Sequence, residues 1–95
     1  LEMTIAYSPA APADLLEWVE AERAQFTSTG LEVFSDEAIT LPGERYEGWE
    51  LVVFSGAGHS ITNLYTEIAG QKYQIWYTGD SDLAASVIAT LRATR

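Results

Sequence analysis

The sequence predicts an α+β domain in which an antiparallel β-meander has one helix before it and one after it. Three observations predict this. Residues 46–55, 60–69 and 72–79 are β-rich and separated only by short turn signals. Residues 12–26 carry apolar side chains at helical spacing. After an Asp80-Ser81-Asp82 cap, Leu83, Val87, Ile88 and Leu91 repeat that spacing. With a short strand at the start, the expected order is β-α-β-β-β-β-α around a sheet of four to five strands.

Residues 2–7 alternate, with Met3, Ile5 and Tyr7 on one side, as a short strand does. Ser8-Pro9-Ala10-Ala11-Pro12 interrupts it, and Pro12 followed by Asp14 starts a helix over residues 12–26. On that helix Leu15, Leu16, Trp18, Val19 and Phe26 gather on one side, Glu17, Glu20 and Arg23 mostly oppose them, and Glu22 lies near the edge of the stripe. Thr27-Ser28-Thr29-Gly30 closes the helix, with Gly30 in the left-handed position after the last turn. Residues 31–41 form a weaker strand, in which a bulge or turn at Asp36-Glu37 would let both halves pair. Leu41-Pro42-Gly43-Glu44 has Pro and Gly at the centre of a type II turn leading into the next strand.

In that strand Trp49, Leu51 and Val53 share one side and Val52 and Phe54 the other, which suits an interior strand covered on both faces. Ser55-Gly56-Ala57-Gly58 forms the next loop. Thr62, Leu64, Thr66 and Ile68 then face away from Ile61, Asn63, Tyr65 and Glu67. Ala69-Gly70-Gln71-Lys72, with Gly at the first central position, predicts a type II′ hairpin. In the last strand Tyr73, Ile75 and Tyr77 face opposite to Lys72, Gln74, Trp76 and Thr78. The final helix sets Leu83, Val87, Ile88 and Leu91 on one face, with Arg92 and Arg95 at its negative end. Helices on opposite faces would account for the two-sided apolar strand. Helices on the same face would leave an aromatic surface with Trp49 or Trp76 uncovered.

Ninety-five residues make one small domain spanning 1–95, and 47% apolar with 12% aromatic residues argues against disorder. A net charge of −9 with five Lys or Arg repels nucleic acid and anionic membranes. The absence of cysteine removes disulfides, thiolate metal sites and cysteine nucleophiles, and leaves the compartment open. No apolar run is long enough for a transmembrane helix. The opening Leu1-Glu2-Met3 reads either as an excised or processed piece of a longer chain or as a two-residue addition ahead of a native Met3.

Gly70-Gln71-Lys72-Tyr73-Gln74-Ile75-Trp76-Tyr77, an acidic turn, and a short helix ending Ile88-Ala89-Thr90-Leu91-Arg92 together resemble the closing segment of PsbP-like domains. The α/β/α sandwich of those domains is shared with the Mog-type nuclear import factor and with many bacterial lipoproteins. The family usually carries an N-terminal hairpin with a Pro-Trp-type strand, whereas this chain has only residues 2–7 there. The resemblance implies a non-enzymatic domain that docks on proteins, often outside the cytoplasm and tethered by a preceding segment, and it carries over no specific site residue.

Candidate chemistry is sparse. His59, the one histidine, sits on a loop where a base or metal ligand would be placed, yet a metal needs several ligands, and an exposed loop histidine is the simpler reading. Gly56-Ala57-Gly58 opens no helix, so it is no phosphate cradle. Carboxylates cluster at Glu32, Asp36 and Glu37, at Glu44, Glu47 and Glu50, and at Asp80 and Asp82. Paired acids of this kind serve Ca²⁺ binding or glycoside chemistry, but capping and a solvated face explain them more simply. Ser55, Ser60 and Ser81 lie in no nucleophile elbow. Tyr46, Trp49 and Trp76 are the aromatics expected at the surface, where such side chains anchor protein interfaces.

The leading expectation is therefore a non-catalytic protein-interaction or accessory domain without a cofactor. The alternative is a small-molecule or metal-binding domain using His59 and nearby acids. A third expectation is a homodimer through an edge strand, residues 2–7 or 31–39.

Overall fold

The computed structural model describes residues 1–54 and 59–91. Its elements are β1 (Glu2–Tyr7), α1 (Leu15–Ser28), β2 (Glu32–Thr40), β3 (Glu47–Phe54), β4 (Ser60–Ile68), β5 (Gln71–Thr78) and α2 (Ser81–Ile88), in the expected α+β order. The five strands form one sheet in the order β1-β5-β4-β3-β2, with every neighbouring pair antiparallel. The meander therefore supplies the middle, and β1 closes the far edge beside β5.

Side-chain alternation sorts the sheet into two faces. Trp49, Leu51 and Val53 of β3 lie opposite Tyr65, Asn63 and Ile61 of β4, so these six share one face. Trp18 and Val19 of α1 pack there with Leu51 and Tyr65, and the Trp18 and Tyr65 rings meet edge to face at 5.0 Å. On the reverse face Leu64 and Ile75 are register partners, and Ile88 of α2 joins them with Leu41. The helices thus lie on opposite faces, and the apolar residues on both sides of β3 follow from that arrangement.

Helix starts follow their caps. Asp14 accepts the Leu16 N–H at 2.9 Å, which leaves Pro12 and Ala13 outside and begins α1 three residues later than the proline suggests. Asp80 caps α2 through the N–H groups of Asp82 and Leu83. The buried side of α2 is Ala84 and Ile88, with Leu91 half-buried beyond the helix end, whereas Leu83 and Val87 face outward. The expected Leu83-Val87 stripe is thus one position out of phase, because the small Ala84 is the residue set against the sheet. Arg45 donates to the Ala89 carbonyl at 2.8 Å, a cation at the negative end of α2. Arg92 and Arg95, expected in that role, and the loop at 55–58 lie outside the described residues.

Two further details differ from the sequence reading. The irregularity in β2 falls between Val33 and Ser35, at Phe34, while Asp36 and Glu37 stay in register opposite Leu51 and Glu50. In the β4–β5 hairpin Ile68 pairs with Gln71, so the two loop residues are Ala69 and Gly70, at φ 53° and 80°. Positive φ at both is a type I′ turn, one residue earlier than the type II′ turn expected. The Leu41–Glu44 turn has its Gly43 at φ 94° and a Glu44 N–H bond to the Leu41 carbonyl, as a type II turn requires.

Ala69 holds a conformation that costs a residue with a Cβ about 1 kcal/mol. Ala69→Asn is therefore expected to raise stability by roughly 0.5–1 kcal/mol, read as a higher urea midpoint at unchanged slope. At Gly48 an added Cβ would run into the Tyr65 carbonyl and come within 2.8 Å of Leu41 Cδ1. Gly48→Ala is expected to cost about 3 kcal/mol, with the same unfolding measurement as the check.

Candidate functional site

α1 lies over β2, β3 and β4, so the β5 side chains on that face stand beside the helix instead of beneath it. Between them is a cleft of about 440 Å³. Its floor comes from Val53 of β3, Ile61 and Asn63 of β4, and Gln74 of β5. Trp76 forms one wall, and Glu22, Gln25 and Phe26 on the second half of α1 form the other, closed by Thr29 and Leu31. A largely apolar hollow of this size with a few convergent polar groups is the ordinary form of a binding site.

The polar groups at the floor form one chain. Asn63 is buried, and its Nδ2 donates to the Leu51 and Ile61 carbonyls at 3.4 Å each. This fixes its amide orientation and turns Oδ1 toward Gln74, whose Nε2 donates to it at 3.2 Å and to the Tyr65 hydroxyl at 3.4 Å. Tyr65 in turn donates to Glu22 Oε1 at 3.3 Å, which links the sheet to α1. Burial, reinforced by the Glu22 carboxylate, pushes the Tyr65 phenol far above its ordinary pKa, so it stays a donor.

At the other flank of α1 a second hollow of about 450 Å³ is lined by Leu15, Leu16, Ala38 and Trp49 among others. Here Asp36 ties three elements together. It accepts Arg23 Nε at 2.6 Å and Nη2 at 2.9 Å, and the Trp49 indole N–H at 2.6 Å. The Arg23 hydrogen bond holds the Asp36 carboxyl below the usual carboxylate range against the opposing effect of burial, and Trp49 adds to it.

Of the aromatics expected at the surface, Trp49 and Trp76 share a sheet face but lie at opposite flanks of α1, and Tyr46 is half-buried against the Leu41–Ile88 cluster. All three are partly covered, and they form no common patch. His59 is exposed and does not line the cleft, and among the described residues no three His, Cys, Asp or Glu side chains come together to hold a metal. No helix among them is long and apolar enough to cross a membrane. Of the residues lining the cleft, only Trp76 is expected from the sequence as a site residue; Glu22, Phe26, Asn63 and Gln74 enter that reading as helix and strand positions only, and Gln25, Thr29, Leu31, Val53 and Ile61 have no site role in it either. Asn63 carried the one available signal, a polar side chain between Ile61 and Tyr65 on an inward-facing side of a strand.

Fold and cleft together define a small antiparallel α+β domain with a groove beside its longer helix. Compared with protein-family models, curated proteins and solved structures, the chain finds no match in any of the three.

The Asp36 cluster predicts a pH dependence. In the unfolded chain the carboxyl titrates at about pH 3.9, and in the folded chain lower. Its stabilisation is therefore whole above about pH 4 and is lost as pH falls through the folded value. Asp36→Asn is expected to be less stable than wild type at pH 7, with the difference shrinking below pH 4 in denaturant titrations at several pH values. Parallel curves down to about pH 2 would contradict this assignment.

Proposed function

We propose that this protein is a non-catalytic protein-interaction domain, and that the cleft between α1 and β5 receives one side chain of its partner. The observation that carries the reading is the cleft itself, an apolar hollow with Trp76 as one wall and a fixed chain of amide and phenol groups at its floor. A partly covered tryptophan beside an apolar hollow is the kind of anchor position at which interface energy concentrates once a partner covers it. The polar groups at the floor and beneath it are bonded to one another and set up for recognition, and burial beside Glu22 raises the Tyr65 pKa and keeps that hydroxyl a donor. What the resemblance to PsbP-like domains implies, a protein-docking role often outside the cytoplasm, runs in the same direction and belongs to the same proposal.

The test is selection of linear peptides from a random displayed library on the wild-type domain, followed by affinity measurement on Trp76→Leu. Selected peptides are expected to share an anchor side chain and to weaken by about tenfold or more on the variant, the scale of an interface anchor. Peptides that bind Trp76→Leu as well as wild type, with the variant folded by circular dichroism, would reject the cleft as the site.

A further inference from the structure

The donor and acceptor inventory of the cleft says which side chain it takes, an inference that rests on reading the cleft as the binding site. Both Asn63 N–H groups are engaged by backbone carbonyls, both Gln74 N–H groups by Asn63 and Tyr65, and the Tyr65 O–H by Glu22. What these residues leave over is acceptors alone, namely Gln74 Oε1 and the second Glu22 oxygen. Beside them stands the Trp76 ring, whose π face attracts cations. The donors that remain are on the walls, the exposed Gln25 amide and the Trp76 indole N–H at its ring edge. No basic side chain lines the cleft among the described residues, and the chain as a whole carries a net charge of −9.

We infer that the cleft is a receptor for a lysine or arginine side chain of a basic protein segment. The aliphatic stem lies along Phe26, Val53 and Ile61, and the cationic head sits between Glu22 and the Trp76 ring. A neutral apolar side chain would leave the Glu22 and Gln74 acceptors without donors, and an acidic one would meet Glu22 directly. The long side chains of Lys and Arg suit a hollow that is apolar along its length and charged at one end.

The experiment titrates the isotopically labelled protein with blocked single amino acids and follows the Trp76 indole N–H and the Asn63 and Gln74 side-chain amides by NMR. The probes are N-acetyl methylamides of lysine, arginine, norleucine and glutamate, together with n-butylammonium. The lysine or arginine probe is expected to bind tighter than norleucine by roughly 2- to 30-fold, the range a cation over an aromatic ring supplies. Glu22→Gln, which keeps an acceptor for Tyr65, is expected to reduce that preference, leaving the part the Trp76 ring supplies, and to leave norleucine unchanged. Norleucine equal to or tighter than both cations, or an undiminished preference in Glu22→Gln, would overturn the inference while leaving the cleft a binding site. Butylammonium binding tighter than blocked lysine would assign the site to a free amine and likewise overturn it. If no probe moves the cleft resonances, the reading of the cleft as a binding site fails as well.

Discussion

The register of β4 is the constraint on which the rest depends. Its four consecutive residues Asn63, Leu64, Tyr65 and Thr66 are all buried, and they alternate between the two cores. Leu64 meets Ile75 and the α2 side, while Tyr65 meets Trp18 and the α1 side. A slip of one residue would exchange the two sets, placing Asn63 where Leu64 belongs or, in the other direction, Thr66 where Tyr65 belongs. The polar members resist it too, since Thr66 Oγ1 donates to the Glu47 carbonyl at 2.8 Å and Asn63 reaches the carbonyls beside it. The cleft inherits its geometry from the same strand, because buried Asn63 is part of its floor and the Tyr65 hydroxyl beneath α1 bonds Gln74 and Glu22, which line it.

Coverage of the two faces is unequal. An eight-residue helix is about 12 Å long, against roughly 19 Å across five strands, whereas the fourteen residues of α1 reach about 21 Å. The shorter helix accordingly leaves apolar side chains at the margins of its face. Phe54 on β3 and Ile5 and Tyr7 on β1 are all substantially exposed there. On the other face the longer helix covers the β2 side, and its offset from β5 opens the cleft. The same choice of helix position that seals one core creates the hollow beside it.

Much of the scaffold was legible in the residues because its signals are local. The period of two in Tyr73, Ile75 and Tyr77 and the Asp14 and Asp80 caps each belong to a single short stretch. Where reading failed, the deciding partner lay elsewhere in the chain. Asp36 and Glu37 look like a break in β2, yet Asp36 sits in register because Arg23 of α1 and Trp49 of β3 satisfy its carboxylate. Ala69 gives no sign of a left-handed backbone, and the strand pairing on either side of the hairpin imposes it. Tyr46 looks like a surface aromatic and is half-covered by the Leu41–Ile88 cluster, whose other members belong to β4 and β5. The cleft draws on α1, β3, β4 and β5, so no window of sequence contains it, and only Trp76 among the expected aromatics marks its position.

The bulge at Phe34 has a consequence for solubility. β1 and β2 are open edges, and an open edge is a template on which identical chains can stack into fibrils. On β2 the extra residue breaks the flat hydrogen-bonding rim near one end, and Glu32 and Glu37 put carboxylates along what remains. A second molecule approaching that rim would meet both a mismatch in spacing and like charge. The irregular strand thus serves as a guard against polymerisation, and straightening it would expose the domain to cross-β assembly.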